Sequence, residues 1–405
     1  MVFTDPALSS EAGRFVWLEV DTERPTSAAI LKKYPLRALP TYFIIEPDSE
    51  RIAIRWVGGA TVPGLKKILN DGDSRVRAAW TNPGLLAGDG GGGTPGAAGG
   101  SSTGDSPMAG LLDEFLSRAD QLYAAEEDSA AAVAYLTAIE MAPDDWPSYG
   151  RAVESAMFSL SNTGDHEKTL ALAKDAWPRL SRTSSAATVA TSGLDAAANL
   201  PEGTEGKKAL VDQFEAAARS VLTDPDIPAT GDDRSGVYIT LIGAHETLGD
   251  SAGAVALTRE WADFLDKAAA EAKTPEARTV YDSHRLSAYL ELKEPEKAVP
   301  FLLQSQKDFP EDYNPPARLA AAYKAMNDLP KALEANSRAL ALVYGPRSLR
   351  VYDARSDIQL AMGDNAAARA TLEKALQTAE GMPDGQRSPR MIASFRKKLE
   401  GLPKT

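Results

Sequence analysis

The chain has 405 residues, 43% of them hydrophobic and 25% charged, a composition ordinary for globular domains and a length that suits two or three of them. The formal net charge is −13, with residues 1–82 summing to +1 and the remainder to −14. A surface this acidic repels phosphate backbones, which argues against nucleic acid and anionic bilayers as partners.

No run of 18 apolar residues occurs, so no membrane insertion is expected. The first ten residues, MVFTDPALSS, hold neither the basic cluster nor the apolar core of a signal peptide. As given, the sequence points to the cytoplasm; a leader ahead of Met1 would make it periplasmic. There is no cysteine, so this chain has no disulfide, thiolate metal site or thiol chemistry. His166, His245 and His284 lie far apart and lack ligand spacing, so they read as packed or surface imidazoles. No metal and no cofactor is expected.

The β formers of Phe15–Val20 predict a strand, and Thr26–Tyr34 a helix stopped by Pro35. Thr41–Ile45 and Arg51–Val57 predict a hairpin turned at Pro47–Ser49. Gly58-Gly59 then breaks the pattern, and Val62–Leu69 predicts a helix. The expected order is β-α-β-β-α.

That order, with Leu39-Pro40-Thr41 opening the hairpin and Gly58-Gly59 before the last helix, resembles the C-terminal part of the thioredoxin fold over about residues 1–72. Val2-Phe3-Thr4-Asp5-Pro6 is similar to the end of the first helix in its disulfide-reductase branch. In that branch a Trp-Cys-x-x-Cys motif lies about two helical turns upstream. The resemblance implies an α/β sandwich lacking its first strand and Cys-x-x-Cys. It implies a cis Leu39–Pro40 bond, with Leu39, Pro40 and Thr41 binding a substrate polypeptide. It also implies that reactive cysteines of a longer product would precede Met1.

Residues 83–108 are rich in Gly, Ser and Pro, with too few large apolar groups to offset the entropy of ordering, and predict a flexible linker. Beyond them, apolar residues recur at i, i+3, i+4 and i+7. Tyr289, Ala298 and Pro310 fall at tetratricopeptide positions, and Tyr323, Ala332, Ala339 and Pro346 nearly repeat them. Ala298 and Ala332 are 34 residues apart. Ala131 and Ala138, Ala332 and Ala339, and Ala368 and Ala375 are each seven apart, and Pro143 follows Ala138 by five.

This pattern resembles a tetratricopeptide array. Seven helix pairs are expected: 109–125 with 129–142, 146–162 with 165–181, 184–199 with 204–222, 233–248 with 250–271, 275–292 with 294–309, 313–327 with 329–344, and 347–362 with 364–379. A capping helix follows near 388–400. The expected fold is an incomplete thioredoxin-like α/β sandwich over 1–82 followed by an all-α, tetratricopeptide-like solenoid over 109–400.

Asp144-Asp145, Asp232-Asp233 and Glu126-Glu127 are neighbours in sequence, so they read as turn or cap residues rather than an acid–base pair. No nucleophile, metalloprotease or dinucleotide motif occurs, and no catalytic residue is expected. The resemblance implies a partner polypeptide on the concave face, with His284, Arg285 and Arg318 as candidates there. The expected function is a protein-interaction scaffold. Two alternatives are a thiol–disulfide oxidoreductase with its cysteines upstream, and a redox-inactive holdase.

Overall fold

In the computed structural model the described residues are 6–11, 13–34, 36, 39–57, 62–81, 107–125, 127–383 and 386–403. They group into two compact units. One holds the residues up to Leu18 with Leu36–Leu248, the other Glu19–Pro35 with Gly249 onward. Residues 1–5, Gly58-Gly59 and nearly all of the 83–108 linker lie outside the described residues.

A short helix, α1 (Ala28–Lys33), precedes a hairpin of β1 (Thr41–Ile45) and β2 (Ile52–Val57). The strands are antiparallel, with Thr41 opposite Val57 and Ile44 opposite Ile54. The buried Glu46 carboxylate accepts the N–H groups of Asp48 (3.1 Å) and Ser49 (2.6 Å), which closes the turn. The Leu39–Pro40 peptide bond ahead of β1 is cis.

The helix after the hairpin, α2 (Val62–Thr81), runs well past its expected end at Leu69. Asn70-Asp71-Gly72-Asp73 reads locally as a stop, but Gly72 lets the helix lie on β1. A Cβ there would stand 2.2 Å from Ile44 Cδ1. Ile44, Ala53, Ile54, Leu65, Ile68, Leu69 and Leu8 form the core of this region.

The expected strand at 15–20 does not form. Phe15 packs against that core, but Val16 is 88% and Leu18 77% exposed. Among the described residues the sheet has two strands, so the thioredoxin-like sandwich expected over 1–82 is not shown. In that fold the missing strand would lie between 15–20 and β1. Among the described residues β1 pairs with β2, and strand formers outside a ladder do not hold an extended strand.

The rest is helical. The first unit continues with α3 (Pro107–Ala124), α4 (Asp128–Met141), α5 (Tyr149–Thr163), α6 (His166–Leu180), α7 (Ala186–Ala198), α8 (Lys207–Thr223) and α9 (Gly231–Thr247). The second holds α10 (Ser251–Glu271), α11 (Pro275–Thr279), α12 (Asp282–Glu291), α13 (Val299–Asp308), α14 (Asn314–Ala325), α15 (Leu329–Leu342), α16 (Arg347–Ala361), α17 (Asn365–Glu380) and α18 (Pro389–Gly401). Two expected helices differ. The one at 275–292 is split into α11 and α12. The one at 294–309 opens as a 3₁₀ turn, Pro295–Ala298, because Pro300 has no N–H to return to residue 296.

Within each unit many helices pack on their sequence neighbours, such as α3 on α4, α7 on α8, α14 on α15 and α16 on α17, and first helices also pack on one another: α5 on α7, α7 on α9, α12 on α14 and α14 on α16. That double pattern defines stacked helix pairs. Several joints between consecutive helices share one device. Gly164, Gly249, Asn327 and Gly363 take positive φ, and the next residue (Asp165, Asp250, Asp328 or Asp364) caps the following helix with its carboxylate. In α7, Gly193 admits the fully buried Phe214 ring of α8; a Cβ there would lie 2.4 Å from it.

Candidate functional site

Ala131, Ala138, Ala298, Ala332, Ala339, Ala368 and Ala375 are all fully buried. They let paired helices approach closely. Tyr289 is buried, Tyr323 and Pro143 are half-buried, and Pro310 is exposed. Leu39 is 63% exposed, Pro40 is also exposed, and Thr41 is half-buried in the hairpin.

Two Tyr–Asp–Arg clusters tie helices together. Tyr135 O–H (2.6 Å) and Arg151 (2.6 Å) both donate to Asp120, joining α3, α4 and α5. Arg285 Nε (2.7 Å) and the Tyr289 phenol both donate to Asp266, joining α10 to α12. Burial and the partner carboxylate push both phenols up.

The three candidates from the sequence each lie within the helix packing, with separate partners. The Arg285 guanidinium also stacks 3.8 Å from the Phe301 ring centroid, and His284 lies 5.7 Å from the Trp261 ring. On α12, burial pushes the carboxyl of Asp282 up, against the opposing pull of Ser305, Arg318, Arg285 and Arg278. Arg285 thus braces the helix stack, and Arg318 adds to the positive field around a buried carboxylate.

A different surface of the second unit carries a peptide. The turn between α15 and α16 reads Tyr344-Gly345-Pro346-Arg347, with Gly345 at φ +61. A Cβ on Gly345 would stand 2.3 Å from the Glu23 carbonyl oxygen, so only glycine allows this approach. Three successive residues are gripped there. The Tyr344 phenol donates to Asp21 Oδ2, Gln386 Nε2 donates to the Thr22 carbonyl (2.9 Å), and Arg347 Nε pairs with Glu23 Oε1. Arg347 also donates to the Tyr313 hydroxyl (3.4 Å), and Arg24 lies 5.3 Å from the Tyr344 ring centroid.

The gripped segment is itself a turn, with Glu23 N–H donating to Asp21 Oδ1 (3.0 Å) and Arg24 N–H to the Asp21 carbonyl (3.3 Å). The Tyr344 hydroxyl, then the Glu23 N–H, then Arg24, hold the Asp21 carboxyl below its ordinary value. The Asp21 carboxylate in turn pushes Tyr344 up. The arrangement sets a cation, a phenol and an amide against two carboxylates and a main-chain carbonyl. Sequence reasoning missed Tyr344, Arg347, Gln386, Asp21 and Glu23, because no local signal couples positions 323 residues apart.

Fold and surface together define a helical-repeat protein of tetratricopeptide-like build. No family profile matches the chain, and no curated protein matches it. Among solved structures, a tetratricopeptide repeat protein from Parabacteroides merdae is similar at 12% identity and a TM-score of 0.43, over 71% of this chain and 97% of that one. The TPR2AB domain of yeast Sti1, solved in complex with pHSP90, is 18% identical with a TM-score of 0.27, over 72% of this chain and 98% of that one. Acl4 (residues 1–338), an assembly chaperone of RpL4, is 15% identical with a TM-score of 0.32, over 71% and 96%. The helical-repeat assignment therefore stands on this chain's own helix pairing. No described helix is long and apolar enough to cross a membrane.

Proposed function

We propose that this chain is a protein-interaction scaffold whose helix pairs hold a partner polypeptide. One observation carries the reading: side chains from the α15–α16 turn and from Gln386 already hold a turn segment by its carboxylates and main chain. A surface that grips residues 21–24 has the donors to grip a partner's chain.

In this reading the N-terminal part, 1–82, is a thioredoxin-like module without its first strand and Cys-x-x-Cys, tethered by 83–108 to repeats over 109–400. The β1–β2–α2 order supports it, and the exposed Leu39 ahead of β1 keeps the polypeptide-pairing role the resemblance implies.

The test is site-specific photo-crosslinking from Lys324 on α14, which is 40% exposed, in cells that express the full chain. The cross-linked protein is identified, purified and titrated against the chain. The expected result is saturable binding tighter than about 10 μM, weakened at least tenfold by Lys324→Glu. Failure of every cross-linked species to bind saturably sinks the reading.

A further inference from the structure

The surface around Tyr344 is occupied, and its occupant is this same chain. We propose that Tyr313, Tyr344, Arg347 and Gln386 form a receptor for an acidic Asp-x-Glu turn, and that Asp21–Arg24 is a built-in competitor that holds a partner's matching segment out. The inference rests on the scaffold reading and adds the ligand chemistry and its regulation.

Four observations converge. The donors meet three consecutive residues in order: Tyr344 the Asp21 carboxylate, Gln386 the Thr22 carbonyl, Arg347 the Glu23 carboxylate. Main-chain and side-chain groups are read together, which is the mark of a peptide site rather than of a stray surface ion pair. Gly345 leaves room for the Glu23 carbonyl where any other residue would place a Cβ, so the receptor is shaped to a close backbone. The occupant is pre-formed by its own turn, so docking it orders few additional bonds.

The grip is also releasable. Arg347 is 50% exposed and Asp21 36%, so their interactions are screened by water and salt. Just upstream, Val16 and Leu18 are exposed and bind the segment to no core. An intramolecular occupant acts at a millimolar effective concentration, so a partner turn of equal intrinsic affinity binds the intact chain weakly. A partner that also engages the helix faces would displace the turn.

The test is fluorescence anisotropy of a labelled peptide spanning residues 19–26 (EVDTERPT) against the full-length chain and full-length variants. The double variant Asp21→Ala with Glu23→Ala empties the receptor. It is expected to bind the peptide at least tenfold more tightly than the parent chain. Adding Arg347→Ala to that double variant is expected to remove the gain. The conservative double variant Asp21→Asn with Glu23→Gln removes both carboxylates but keeps their size, and it is expected to show the same gain even if the alanine variant is poorly folded. Equal affinity of parent and double variant overturns the proposal, as does peptide binding by the double variant that ignores Arg347→Ala. A partner that binds through Lys324 while the peptide shows no such difference would leave the scaffold standing without self-occupancy. A peptide that behaves as stated while no partner is found would keep the receptor and remove the scaffold.

Discussion

Among the described residues the hairpin region and the last helix pair each close around seven buried side chains, yet they end differently. The last pair is finished by α18, which buries Phe395 against Leu349, Leu372 and Ala375 and pairs Lys398 with Asp353 and Asp357 of α16. The hairpin is a two-stranded sheet, and the stretch Val16 to Val20 is exposed and lies outside its ladder. A helix satisfies its own backbone and needs only an apolar cover; a strand needs a neighbour in the ladder. Losing one element therefore damages a sheet far more than it damages a stack of helix pairs.

The largest break in this comparison comes from removing the cover. Phe395→Ala should cost about 3–5 kcal/mol, read as a lower urea midpoint at unchanged m. A stable variant would mean that α18 does not close the array. Adding a methyl at a glycine contact comes next. Gly193→Ala drives a Cβ into the buried Phe214 ring and should cost about 1–3 kcal/mol in thermal or urea unfolding. Gly72→Ala should cost less, about 1 kcal/mol, because the nearest atom is the terminal methyl of Ile44.

A subtler contrast lies in acid. Glu294 accepts both Arg259 nitrogens (2.7 and 2.6 Å) and pairs with Lys297, which holds its carboxyl at about 2 against an ordinary 4.5. A depressed carboxyl stabilises the fold above its unfolded pKa and loses that contribution as pH falls through the folded one. Glu294→Gln should therefore melt below the parent above pH 4.5. The gap should close as pH falls toward 2, and a gap constant with pH would exclude this ion pair as its source. The smallest effect is expected at the exposed stretch. Val16→Lys with Leu18→Lys should change stability by less than about 0.5 kcal/mol while reducing self-association in light scattering.

What could be read in the sequence follows from how far each signal reaches. Gly-Asp and Asn-Asp pairs mark helix joints because a left-handed residue and an aspartate cap act within four positions. The alanines at 34-residue spacing are legible because the same close approach recurs in successive pairs. The helix end expected at Leu69 fails because Ile44, distant in sequence, rewards continuing the helix. Arg285 reads as a candidate ligand residue, yet Asp266 and Phe301 claim it. The Tyr344 surface had no local signal, since its acidic half sits near the N-terminus.

That separation sets a timetable during biosynthesis. Asp21 leaves the ribosome 323 residues before Tyr344. At about 5–20 residues per second the interval is roughly 16–65 s. For that time the acidic turn exists without its receptor, which makes its docking one of the last tertiary events available to the nascent chain.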